Sequence, residues 1–115
     1  MNKKRFEDLV LDQNAQAINL LREKSKEYAT EDMLFNFKEA AKVGYVNPAE
    51  ALLGMARKHY ISIEMMSKEP FIFTEKQWNE KLLDIQNYMY LLKGVLEDMR
   101  LDQKNLDRNC TKPCD

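Results

Sequence analysis

The apolar residues of this 115-residue chain recur at intervals of three and four over most of its length, a pattern that is typical of amphipathic α-helices. A first helix is predicted from about Lys4 to Tyr28, on an apolar stripe that Gln13 and Lys24 interrupt. A second, short helix is predicted from roughly Leu34 to Val43. Gly44 then stands where a residue in the left-handed conformation often ends a helix.

The third helix has the clearest start signal, in the segment VNPAEALLGMARKHYISIEMM. Asn47 can cap this helix, Pro48 suits its first position, and Glu50 follows three residues after the cap. Pro70 is expected to end it, because proline lacks the backbone N–H that a helix interior needs.

The last helix is predicted from near Glu75 to about Asp102, with Thr74 and Gln77 spaced as a capping box. Its main apolar seam has alternating spacings of four and three, and consists of Trp78, Leu82, Ile85, Met89, Leu92, Leu96 and Met99. Such a seam suits near-antiparallel packing in a helix bundle, so Trp78 and Leu82 are predicted to be core residues.

Further apolar residues of the last helix lie on its other sides: Leu83, Tyr90, Leu91 and Val95. A helix that is apolar all round is normally buried all round, and a four-helix monomer of this size rarely surrounds one of its own helices. The fold class predicted is therefore all-α: a compact bundle of about four helices, two of them long, that forms a dimer or higher oligomer. Residues 1–104 are predicted to be a single helical domain and residues 105–115 a flexible C-terminal tail.

The composition limits the classes of partner that the protein is expected to bind. The net charge of -1 argues against a dedicated duplex-DNA binder, which usually has a concentrated basic face. No apolar stretch is long enough for a transmembrane helix, and no signal peptide is recognisable, so no membrane association and a cytoplasmic location are expected. Cys110 and Cys114 are then expected to be free thiols on the tail.

Polar residues interrupt the apolar last helix. Glu80, Asp84 and Asn87 lie on one ridge, opposite the main seam. If this side is also covered, Asp84 needs a cation or several hydrogen-bond donors, because an unpaired buried carboxylate is strongly unfavourable. The candidate partners are three residues of the third helix, Arg57, Lys58 and His59. Two interpretations stay open at this point: a buried structural network, or a pocket for phosphate or a divalent ion.

Several short motifs resemble those of a group of small all-helical proteins common in phages and prophages. The pattern is K-x-x-x-Y, an N-F pair, K-H within a helix, and D-x-x-N-Y on a final apolar helix. In this chain it corresponds to Lys24 with Tyr28, Asn36 with Phe37, Lys58 with His59, and Asp84, Asn87 and Tyr88. The resemblance covers about Ile18 to Asp98.

That group is distantly similar to the nucleotide-modification-associated helical domains, and more remotely to MazG-like and dimeric dUTPase-type all-α pyrophosphohydrolases. Those enzymes hydrolyse nucleoside triphosphates with magnesium held by acidic residues on adjacent helices, commonly ExxE followed by ExxD. This chain has Glu23 with Glu27 and Glu80 with Asp84, both spaced by four rather than three. A spacing of four still places two carboxylates on one helix face.

The resemblance implies a phage-type accessory protein that binds a phosphorylated nucleotide between the last two long helices. The implied ligand-binding residues are Tyr28, Asn36, Lys58, His59, Asn87 and Tyr88. If the protein is an enzyme, the resemblance implies a metal-dependent nucleotide pyrophosphohydrolase, with Mg²⁺ held by Glu80 and Asp84.

Two other functions compete with nucleotide binding. One is a non-enzymatic interaction protein that inhibits a host factor or sequesters a host signalling nucleotide in the host cytoplasm. The other is a purely structural helical oligomer, in which the polar residues only set the register of the helices.

Overall fold

The structure is a computed structural model, and it describes residues 1–27 and 31–108. Over these ranges the chain forms four α-helices and one 3₁₀ turn, without a β-strand. The elements are α1 (Lys3–Ser25), α2 (Phe35–Gly44), α3 (Pro48–Ser67), the 3₁₀ turn (Pro70–Ile72) and α4 (Glu75–Arg108). The all-α prediction is confirmed, but three helices rather than two are long, because α1, α3 and α4 have 23, 20 and 34 residues.

The predicted starts of α3 and α4 are confirmed by their capping hydrogen bonds. The Asn47 side chain accepts a 2.9 Å hydrogen bond from the backbone N–H of Glu50. At α4, Thr74 and Gln77 form a reciprocal capping box, with each side chain accepting from the other residue's backbone N–H at 3.1 and 2.8 Å. These contacts span only three residues, so the local sequence is sufficient to specify them.

The end of α2 differs from the prediction. Gly44 is the last helical residue, and no described residue has a positive φ, so the predicted left-handed ending is wrong. The chain instead leaves α2 directly into an extended conformation at Tyr45, with φ of -126° and ψ of 156°. The Tyr45 ring then crosses α3 at Gly54, where an added Cβ would lie only 2.9 Å from it.

The last helix is longer than predicted. It continues to Arg108, so residues 105–108 of the predicted tail are helical and exposed. Residues 109–115, with Cys110 and Cys114, lie outside the described ranges. Among the described residues, no helix has both the length and the apolar character needed to cross a membrane.

The core lies where α2, α3 and α4 meet. It is centred on four buried residues: Leu34, Phe37, Leu52 and Val95. Lys38 connects α2 to α4, because its ammonium lies 2.6 Å from an Asp32 carboxylate oxygen and 3.1 Å from one of Asp98. Helix α1 crosses α4 at fully buried Ala17, whose small side chain allows the helices to approach closely.

The buried face of α4 is not the predicted seam. The buried residues of this helix are Leu83, Asn87 and Val95, on the opposite side. Trp78 is half-buried and Leu82 is 43% exposed, so the prediction that Leu82 is a core residue is wrong for the single chain. The physical reason is that α2 and α3 pack mainly on the side of α4 that carries Asn87 and Val95. Of the predicted seam, Leu92 and Met99 pack against the core, whereas Leu82, Met89 and Leu96 stay largely exposed.

Candidate ligand pocket

A cavity of about 300 Å³ lies between α3 and α4, beside the C-terminal part of α1 and the first turn of α2. Aliphatic and aromatic side chains form part of its wall: Leu21, Phe37, Met55 and Leu91. Six polar or amphipathic side chains form the rest: Lys24, Asn36, His59, Asp84, Asn87 and Tyr88. Ligand pockets commonly combine an apolar wall with a few convergent polar groups.

Most of the residues singled out from the sequence line this cavity. Asn36, His59, Asn87 and Tyr88 do so from three different helices, together with Asp84. Tyr28 lies outside the described residues. These residues share a cavity because α3 and α4 run antiparallel and bring the middle of one helix against the middle of the other.

Asp84 has two nitrogen-bearing neighbours, the Lys24 ammonium and the His59 imidazole. Its carboxylate oxygens lie 3.6 Å from Lys24 Nζ and 3.6 Å from His59 Nδ1. Both distances are longer than a direct hydrogen bond, and the Asp84 side chain is 27% exposed. The Asp84 carboxylate is therefore held electrostatically but keeps the capacity to accept hydrogen bonds from a ligand.

Lys24, and not the predicted Lys58, is the lysine that lies beside Asp84. Lys58 is exposed and does not line the cavity, although its charge contributes to the environment of His59. Lys24 was not predicted to be the partner of Asp84, yet a signal was present. It interrupts the apolar stripe of α1, and a lysine at such a position is expected to point toward a polar site or solvent.

His59 is held mainly in its neutral form. Burial lowers the pKa of the His59 imidazole, and nearby Lys58, Lys81 and Lys24 lower it further, while the Asp84 carboxylate opposes them. A neutral imidazole has one donor and one acceptor nitrogen. The His59 ring also lies against Tyr88, with ring centroids 5.2 Å apart and an angle of 38° between the planes.

Asn87 is the most unusual residue of the pocket. It is 3% exposed, and neither its amide nitrogen nor its amide oxygen has a hydrogen-bond partner among the described residues. Leaving a buried polar group unsatisfied costs about 1–3 kcal/mol. Most buried polar groups in proteins are paired, so an amide in the wall of a cavity without a partner among the described residues needs an explanation.

The predicted metal ligands lie in different cavities. Glu80 lines a separate cavity with Ser62 and Gln77, whereas Asp84 lines the pocket beside Lys24 and His59. Within residues 1–27 and 31–108, no group of three or more His, Cys, Asp or Glu residues could hold a metal ion. Mg²⁺ bound with a nucleotide is usually held by one or two carboxylates together with the phosphates, and Asp84 is the carboxylate that lines the pocket. Metal binding by Glu80 and Asp84 stays a prediction.

No family model, curated protein or solved structure matches this chain. Membership of the phage protein group therefore stays a prediction. The geometry of the pocket is the basis for the proposed function.

Proposed function

We propose that the pocket binds a phosphorylated nucleoside, and that the chain is a small accessory protein of the phage type. The observation that carries this proposal is the buried Asn87 amide in the wall of the cavity, whose donor and acceptor have no hydrogen-bond partner among residues 1–27 and 31–108. An amide of this kind matches the adjacent donor and acceptor on the edge of a nucleobase, as asparagine does when it pairs with adenine.

The size and the aromatic lining of the pocket suit a base. A cavity of about 300 Å³ is at the small end of ligand pockets and accommodates a base with part of its sugar. The adjacent rings of His59 and Tyr88 provide an aromatic surface, and base stacking on aromatic side chains is favourable for every base. Asp84 is then suited to accept a hydrogen bond from a sugar hydroxyl.

The phosphate is assigned to Lys24. Its side chain is 44% exposed, so its ammonium is accessible from the mouth of the pocket. The ion pair with Asp84 is long and partly exposed, and such pairs contribute about 0–1 kcal/mol. A phosphate can therefore compete with Asp84 for the Lys24 ammonium.

Hydrolysis is not part of this proposal. Asp84 is the one carboxylate among the described residues that line the pocket. It lies beside the Lys24 ammonium and the His59 imidazole, and Glu80 lines another cavity. The arrangement favours holding a ligand over assembling a cluster of acidic residues for phosphate chemistry.

A protein-interaction function is the second candidate, and a specific observation favours it. Leu82, Met89 and Leu96 on the seam of α4 are each 43–44% exposed, so they form an apolar strip that the described helices leave largely uncovered. This strip supports a homo-oligomer or the binding of a host protein. Both can coexist with a ligand pocket, because the seam and Asn87 are on opposite sides of α4.

The proposal is tested by thermal denaturation and calorimetry with nucleosides and their mono-, di- and triphosphates, with and without magnesium. Wild-type protein should be stabilised by at least one nucleotide, and Asn87→Leu should lose that shift. Asn79→Leu is the matched control, because the Asn79 amide donates to Gln16 on α1 at 2.8 Å and does not line the pocket. Lys24→Met should reduce the preference for phosphorylated ligands.

Two results would contradict the proposal. One is the absence of any shift in wild type across the whole panel. The other is an equal shift in wild type and Asn87→Leu, which would locate nucleotide binding elsewhere on the protein.

A further inference from the structure

One face of the molecule is apolar and uncovered. It is formed by Leu82, Ile85, Met89 and Leu96 of α4 with Leu53 and Tyr60 of α3, and is named here the seam face. All of these except half-buried Ile85 are between 43% and 61% exposed. A cleft of about 350 Å³ between α3 and α4 opens on it, with Ala56 at its base and Arg57 at its edge.

The seam face is uncovered because of how the four helices are arranged. α3 lies along one side of α4, α1 crosses the other side near Asn79, and α2 packs against the buried Asn87 side. The neighbouring helices cover the seam of α4 only in part: Leu92 and Met99 pack against the core, whereas Leu82, Met89 and Leu96 stay largely exposed. A regular apolar seam is the pattern by which two helices interdigitate their side chains.

The surface area of the chain is too large for a monomer of its mass. A folded monomer of 13.6 kDa exposes about 6,600 Å², whereas this chain exposes 9,186 Å². The excess is about 2,600 Å². It is spread over the chain, because residues 1–12 and 100–108 are exposed as well as the seam face. The Cα radius of gyration, 18.1 Å, is likewise larger than the value of about 13 Å expected for a compact domain of 115 residues.

We propose that the seam face is the interface with a second copy of this chain, with the two α4 helices packed against each other at its centre. Obligate homodimers bury about 2,000–5,000 Å² in total. The excess surface of two chains is large enough to supply a contact in that range, of which the seam face is the apolar part.

The composition of the seam face also fits a second copy. Tyrosine, methionine and arginine are enriched in protein interfaces, and Tyr60, Met89 and Arg57 lie at the cleft. A two-fold axis places the same apolar seam on both sides of the contact, so the surface is complementary to itself. No separate partner of matching shape is needed to cover it.

The interface and the ligand pocket are independent. The seam is opposite Asn87 on α4, so pairing two seam faces leaves both pockets accessible. A dimer with intact seam faces could therefore bind two ligands, and loss of the dimer leaves the residues around Asn87 in place.

The test is the molar mass in solution, measured by light scattering and sedimentation. Wild type should have a mass of two or more copies of the 13.6 kDa chain. Met89→Lys places a charge at the centre of the seam and should reduce the mass at least by half. Ile61→Lys is the matched control, because Ile61 is 47% exposed on α3 but is turned about 100° from Tyr60 around the helix.

Circular dichroism establishes whether Met89→Lys still folds. If Met89→Lys does not fold, the thermal midpoint of wild type is measured at several protein concentrations. The midpoint of an obligate dimer rises with protein concentration. A wild-type monomer mass with a concentration-independent midpoint would overturn the proposal, and so would a folded Met89→Lys protein with the wild-type mass. If Ile61→Lys also dissociates the protein, the interface lies elsewhere on α3 and the seam face is not the contact.

Discussion

Replacing Asn87 with leucine tests whether the pocket wall is built for a ligand or for stability. Both amide atoms of Asn87 are buried and have no hydrogen-bond partner in the described part of the chain, and an unsatisfied buried group costs about 1–3 kcal/mol. Leucine has a similar size, has no polar atoms and can extend into the adjacent 300 Å³ cavity. Asn87→Leu should therefore raise the free energy of unfolding by about 1–3 kcal/mol, because it removes the desolvation penalty.

Urea denaturation followed by circular dichroism measures this change. With a typical urea m-value of about 1–3 kcal/mol/M, the unfolding midpoint should rise by roughly 1 M. Asn79→Leu is again the control. It breaks the hydrogen bond to Gln16, so it should lower the free energy of unfolding by about 0.5–1.5 kcal/mol.

The reasoning is refuted if Asn87→Leu loses more than about 1 kcal/mol, the net worth of a typical hydrogen bond. Such a loss would mean that the Asn87 amide is satisfied in solution, for instance by an ordered water, and serves the fold. A gain in stability accompanied by loss of nucleotide binding is the combination expected of a functional site, because binding residues are often kept at the expense of stability.

Three further predictions concern α3 and α4. Asp84→Asn should change the free energy of unfolding by no more than about 1 kcal/mol in urea titrations, because the Lys24 and His59 contacts are both long and partly exposed. Burial holds the pKa of His59 below its ordinary value of 6.5, so at falling pH the unfolded chain is protonated at His59 before the folded chain is. The urea midpoint should therefore fall as the pH drops below 6.5. Gly94→Ala should raise the thermal stability by about 1 kcal/mol, because alanine is the better helix former and its Cβ would lie 3.7 Å from the Leu34 methyl groups.

Each of these predictions has its own control. A loss of about 3–5 kcal/mol in Asp84→Asn would identify a buried ion pair and favour the structural network over the ligand site. His59→Gln should weaken the pH dependence, and an unchanged slope would assign it to other groups. Gly54→Ala should give no comparable gain, because its Cβ would meet the Tyr45 ring at 2.9 Å; equal gains at both glycines would contradict the packing argument.

The helices themselves could be predicted from the sequence because their signals are local. The Asn47 cap and the Thr74–Gln77 capping box are contacts over three residues, and they define the starts of α3 and α4 without any help from the rest of the chain. The polar ridge with Asp84 and Asn87 was recognisable for the same reason, since residues three and four apart share a helix face.

The packing of the helices determined which face of α4 is buried and which lysine lies beside Asp84. Two apolar sides of α4 were recognisable, but only the position of α2 and α3 made the Asn87 side the buried one and left Leu82 exposed. Likewise, Lys24 rather than Lys58 became the neighbour of Asp84 because the C-terminal part of α1 lies beside the pocket. Helical periodicity determines which residues share a face, whereas the choice of the face that packs depends on contacts between residues far apart in the chain.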